Sequence, residues 1–133
     1  MEAEKSKVLV AGDMKDRFTV PENWMEILER LFINGGSEAL LRVVDWTGNG
    51  HEFRCATRKN GPYRKPVLQA HEWKMFVNYA GLQVGDKIII QELKEAQFRG
   101  ASYILIAKRM DHDGLWANVQ IPKRAASDLL HLF

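Results

Sequence analysis

Cys55 and His51 stand four residues apart. On a helix that spacing would bring a thiol and an imidazole onto one face, as a metal site or a nucleophile–base pair requires. Both fall in HEFRCATR, which alternates like a strand, and no second His/Cys pair follows. Alternation sends Cys55 to the same face as Phe53 and Thr57, the face expected to turn inward, where a thiol is an inert small hydrophobe. Asp111, His112 and Asp113 set two carboxylates beside an imidazole, but in a turn-like stretch open to water. The Gly-rich stretch Asn34-Gly35-Gly36-Ser37 follows a helical segment instead of opening one, so it is no phosphate cradle. These residues predict no enzyme centre, no metal and no small-molecule cofactor.

The distribution of positive charge points elsewhere. The chain carries 19 Lys and Arg against 17 Asp and Glu, a net charge of +2, so electrostatic function rests on local placement. From Phe53 to His71 there are five bases, Arg54, Arg58, Lys59, Arg64 and Lys65, and no acid. Four of them flank the turn in Arg58-Lys59-Asn60-Gly61-Pro62-Tyr63-Arg64-Lys65, where Asn-Gly-Pro sets permissive and rigid backbone side by side. Residues 11–30, by contrast, hold five acids and three bases. A short charge run usually only solubilises; the functional reading is that it neutralises phosphates. A stacking platform for single strands would need several aromatics on one basic face, and Tyr63 is the one aromatic inside the loop.

The elements that must carry this loop are legible in the hydrophobic pattern. In PENWMEILERLF, Trp24, Ile27, Leu28 and Leu31 recur at helical spacing. Pro21 suits the first turn of that helix, and Asn34 to Ser37 end it. EALLRVVDW, TGNG and HEFRCATR predict a β-hairpin whose second strand sends Arg54, Ala56 and Arg58 to the face opposite Cys55. KPVLQ predicts a short strand opened by Pro66, and AHEWKMFVNYAGL a helix with Trp73, Phe76, Val77 and Ala80 as its stripe and Gly81 as its stop. Lys7–Val10, Arg17–Val20, DKIIIQEL and ASYILIAKR bring the total to about seven short strands, the last two joined by a polar loop near Lys94–Gly100. The expected core comprises Trp24, Phe53, Cys55, Trp73, Ile88, Ile90, Ile104 and Ile106. Runs this short and hairpin-like predict a mostly antiparallel, barrel-like sheet with helices at its ends, not a parallel α/β sheet.

Length and composition allow one domain: 133 residues, 46% hydrophobic and 27% charged. One cysteine excludes an internal disulfide and suits a reducing compartment, cytosol or nucleus. MEAEKSKVLV lacks the apolar run and cleavage site of a signal peptide, and no segment approaches the roughly 20 apolar residues of a membrane span. Residues 1–110 are predicted to form the domain. Residues 111–133 read as a C-terminal extension with Trp116, Leu129, Leu130, Leu132 and Phe133 in apolar positions. That extension packs on the domain, frays, or binds a protein partner.

In order, KVLVAGDMKDRFTVPENW, LLRVVDWTGNGHEFRC, YRKPVLQAHEWKMFVNYAGLQVGDKIIIQ and YILIAK resemble the plant B3 DNA-binding domain over roughly residues 5–109. The matching pieces are Asp13, Val20-Pro21, Asp45-Trp46-Thr47-Gly48, Phe53, Trp73-Lys74-Met75-Phe76-Val77 and Leu82-Gln83-Val84-Gly85-Asp86. The resemblance implies a seven-stranded open antiparallel pseudobarrel with two short helices, acting on double-stranded DNA in the nucleus as a module of a plant transcriptional regulator. Two arms of such a domain enter the major groove. Here the first arm is the loop at about Ala11–Phe18, with Lys15 and Arg17 offset by two acids. The second is about Thr57–Lys65, so that Arg54, Arg58, Lys59, Asn60, Tyr63, Arg64 and Lys65 become DNA-binding candidates. The alternative is a B3-like barrel with weak or no specific DNA binding that serves as a protein-interaction module.

Overall fold

The computed structural model describes residues 4–31, 38–57, 66–97 and 100–122. The elements in chain order are β1 (Lys5–Val8), α1 (Ala11–Lys15), β2 (Phe18–Thr19), a 3-10 turn (Glu22–Trp24) leading into α2 (Met25–Leu31), β3 (Glu38–Asp45), β4 (Gly50–Ala56) and β5 (Val67–Leu68). Then come α3 (Ala70–Ala80), β6 (Lys87–Gln97), β7 (Ala101–Met110) and β8 (Trp116–Asn118). Seven strands form one curled, open sheet in the order β1-β6-β7-β3-β4-β5-β2, and β8 joins it by pairing with β7. Every ladder is antiparallel except β3 with β7. This is the mostly β, open-barrel class that the pattern predicts.

The hairpin forms because Asp45 organises its turn. Its Oδ1 accepts the Thr47 N–H at 2.8 Å, the Thr47 hydroxyl at 2.6 Å and the Asn49 N–H at 3.2 Å. The register that results sets Phe53 opposite Leu41 and Arg54 opposite Leu40. Phe53 and Leu41 are buried, whereas Arg54 and Leu40 are exposed. The predicted alternation of β4 is therefore the observed one.

The core is aromatic at the centre. Phe18, Trp24, Trp73, Phe53 and Phe76 are all buried, with the Phe18 ring 5.2 Å from Trp24 and 4.7 Å from Trp73. α3 is amphipathic through Trp73, Phe76 and Ala80, and it ends where Gly81 turns left-handed at φ +66° and bonds back to the Val77 carbonyl. The two sheet edges, β1 and β2, do not pair with each other. Lys7 Nζ donates to the Thr19 carbonyl at 2.8 Å and Asn23 Nδ2 to the Ser6 carbonyl at 3.1 Å, so side chains satisfy acceptors that an open edge would leave bare.

Three expectations are corrected. Ile104 and Ile106 are half-buried and outside the core cluster, whereas Tyr103, Leu105 and Ala107 belong to it. β7 is set by pairing Leu105 with Ile90 and Ala107 with Ile88, and a run apolar on both faces does not declare which parity points inward. The first arm is not a loop throughout: residues 11–15 wind into α1. β6 continues to Gln97 through a register irregularity after Glu92, so less of Lys94–Gly100 is loop than the polar composition implies. Of the readings open for the C-terminal extension, its described part takes the first and packs on the domain. β8 takes the edge of β7 beyond the end of β3, and Val119 is buried in the core cluster.

Candidate nucleic-acid interface

α1 owes its existence to one carboxylate. Val10 has no side-chain acceptor with which to cap the helix, but Asp13 Oδ2 reaches back to accept the Val10 N–H at 3.0 Å. Its Oδ1 accepts Lys7 Nζ at 2.8 Å, and its backbone carbonyl accepts Trp73 Nε1 at 2.7 Å. Asp13 is buried as a result. The sequence balance counts Asp13 as an acid that offsets Lys15 and Arg17; in the fold its charge is matched by Lys7 instead. Asp16 alone remains beside the bases, 3.5 Å from Arg17 Nε in an exposed pair of little energetic weight. Lys15 is exposed, and its side chain makes no hydrogen bond or ion pair among the described residues.

The segment around α1 runs into β2, and β2 is short. Phe18 pairs with Leu68 and Thr19 with Val67 of β5, while Cys55 and Ala56 of β4 pair with the same two β5 residues. The connection from Thr57 to Pro66 therefore leaves and rejoins the same three-strand corner into which segment 11–17 leads. Pro66 is buried there, and its carbonyl accepts the Val20 N–H at 3.1 Å. Arg54 projects from the outer face of β4, 72% exposed, with Nε 3.7 Å from Glu72 Oε1. Lys15, Arg17 and Arg54 are thus solvent-facing cations on or next to this corner. Arg58, Lys59, Asn60, Tyr63, Arg64 and Lys65 lie outside the described residues.

Other reactive groups are committed to structure. Burial pushes the Cys55 thiol up to about 12, which leaves it protonated and unreactive. His51 Nε2 is hydrogen-bonded to Asp45 Oδ2 at 2.8 Å, and its ring packs 4.9 Å from Phe76 and 5.0 Å from Tyr79. Asp111 spends its Oδ1 on the N–H groups of Asp113 and Leu115 at 2.8 and 3.0 Å. No group of three or more His, Cys, Asp and Glu among the described residues is arranged to hold a metal. A cavity of about 410 Å³ lies between α2, β1 and β6, and its described lining includes none of Lys15, Arg17 and Arg54. On its rim Arg30 is bonded to Glu92 at 3.2 Å and to Glu26 at 3.4 Å.

Sequence reasoning missed the supports of the site. Lys7, Glu72 and the indole N–H of Trp73 gave no signal beyond an ordinary strand lysine, a helix-surface acid and a core aromatic. Asp13 did give one, as a match to the acid expected in the first arm.

No family model matches the chain, and no curated protein matches it. Among solved structures it is similar to the complex of Arabidopsis FUS3 with DNA: TM-score 0.59 and 22% identity, covering 79% of this chain and 96% of that one. The fold is that of the B3 domain. A B3 pseudobarrel accounts for the open curled sheet and its few short helices.

Proposed function

We propose that this B3-fold chain binds double-stranded DNA by placing two arms in the major groove, and that it does so in the nucleus as part of a plant transcriptional regulator. One observation carries the reading. Segment 11–17 and the acid-free connection 57–66 spring from a single sheet corner, on which the described bases Lys15, Arg17 and Arg54 face solvent. The likeness to a protein solved with DNA supports it. Lys59 and Lys65 are assigned to phosphates, which a flexible ammonium reaches without sequence information. Arg58 and Arg64 are assigned to base edges, because a planar guanidinium bonds guanine O6 and N7 together. Asn60 and Tyr63 can donate to either, and Lys15, Arg17 and Arg54 extend the basic footprint. The reading requires no metal and no cofactor.

Selection of duplexes from a random pool by this chain tests it, followed by salt titration on the selected sequence. Replacing Lys59 or Lys65 with Ala should weaken binding on all sequences alike and lower the salt slope by about one. Replacing Arg58 or Arg64 should cost roughly 1–3 kcal/mol and relax preference at one base pair. Arg30→Ala is the control, since its guanidinium, on α2, is engaged with Glu26 of the same helix and with Glu92 of β6. Four loop variants that bind like the parent at about 0.1 M salt would sink the reading. The protein-interaction alternative would then take its place.

A further inference from the structure

Glu72 and Trp73 are neighbours in the first turn of α3, and each holds the root of a different basic segment. Glu72 Oε1 accepts the backbone N–H of Arg54 at 3.2 Å. Trp73 Nε1 donates to the carbonyl of Asp13, inside α1, at 2.7 Å. The second bond is more than the default behaviour of a buried indole in this core. Trp24 is just as buried and packs against the same Phe18 ring, yet its Nε1 has no hydrogen-bond partner among the described residues. α3 itself is rigidly seated through Trp73, Phe76 and Ala80. One packed helix turn therefore ties Asp13, two residues before Lys15, to Arg54, three residues before Thr57.

We infer that Glu72 and Trp73 are positioning residues that fix the separation of the two basic segments, so that discrimination between DNA sequences depends on them more than affinity for DNA does. The inference rests on the DNA-binding reading above and deepens it. Phosphate contacts by long Lys side chains tolerate a shift of the chain beneath them. Paired hydrogen bonds to base edges do not, because both segments must meet the groove in register.

Three variants test it. Trp73→Phe removes the N–H and keeps most of the ring. Glu72→Ala removes the acceptor for Arg54, and Glu72→Gln restores an acceptor without the charge. Amide hydrogen exchange, read without DNA, should speed up at Asp13 in Trp73→Phe and at Arg54 in Glu72→Ala, with β6 and β7 unchanged. Affinity for the selected duplex should fall roughly fivefold or more, the worth of one base contact. Affinity for a scrambled duplex and its salt slope should stay put, and Glu72→Gln should behave like the parent. Unchanged exchange at both sites overturns the tether, as does an equal loss on both duplexes or a Glu72→Gln as defective as Glu72→Ala. Should Trp73→Phe fail to fold, Glu72→Ala carries the same test from a side chain outside the core. A parent that binds no duplex sinks the DNA reading and the discrimination with it, whereas exchange decides the tether independently.

Discussion

Three acids are buried among the described residues, Asp13, Asp45 and Asp86, and each is the hub of a local structure. A buried carboxylate without partners would cost several kcal/mol. Asp86 is held by Arg109, with Nε to Oδ1 and Nη2 to Oδ2 both at 2.8 Å, and by the Gln83 N–H at 2.8 Å. Asp45 shows the balance most clearly. Burial pushes its carboxyl up, and hydrogen bonds from His51 and Thr47 outweigh this and hold it well below the usual carboxylate range. A folded-state value below the unfolded one stabilises the protein above the unfolded pKa of about 3.9, and the contribution is lost as pH falls below it. Asp45→Asn should therefore show a thermal midpoint that changes less than the parent's between about pH 5 and pH 2; parallel curves would mean that the turn does not depend on this charge. Cys55 offers a second check at the same scale. At about pH 8 it should resist a thiol reagent in the native protein and react fully on denaturation, and a fast native reaction would contradict its burial.

At the scale of elements, the short pieces are stabilised by what they dock against. α1 is five residues long, far below the length at which a helix persists by propensity. It stands because Asp13 is bonded to β1 through Lys7 and to α3 through Trp73. The end of α3 is equally specific. Gly81 sits at φ +66°, and a Cβ there would come within 3.1 Å of Pro122 Cγ. Gly81→Ala should cost about 1–2 kcal/mol from the left-handed backbone alone, before the contact with Pro122 is counted. Chemical denaturation measures this directly, and an unchanged midpoint would mean that the helix end relaxes freely.

Across the whole molecule, the question is where the cooperative unit ends. The boundary proposed at residue 110 leaves β8 and Val119 outside it. Yet Val119 fills the core, and its carbonyl accepts Trp46 Nε1 at 3.0 Å. A chain ending at residue 110 would lose that side chain, that hydrogen bond and the partner of the Lys108–Met110 edge. It retains the seven-strand path and the Phe18–Trp24–Trp73 cluster. The expected result is cooperative unfolding with stability lower by about 2–4 kcal/mol. A truncated chain without a cooperative transition would extend the domain to at least Val119.

Local pattern was enough to determine the class of fold, the hairpin, both amphipathic helices and the outward direction of Arg54. Each of these follows from a period of 2 or 3.6 residues, helped by the turn at Asp45 and the stop at Gly81; the helix stop expected at Asn34 to Ser37 lies outside the described residues. The concentration of bases between Phe53 and His71 was likewise visible, because charge is a property of composition. Tertiary structure decided what depends on partners remote in sequence. The inward parity of β7 came from pairing with β6, since Ser-Tyr-Ile-Leu-Ile-Ala is apolar on both faces. The packing of residues 116–119 came from an open edge of β7 that no local signal announces. The role of Asp13 turned on Lys7 and on Trp73, 60 residues away. In the sequence it is a negative charge beside two bases, and only the fold turns it inward, where it supports them.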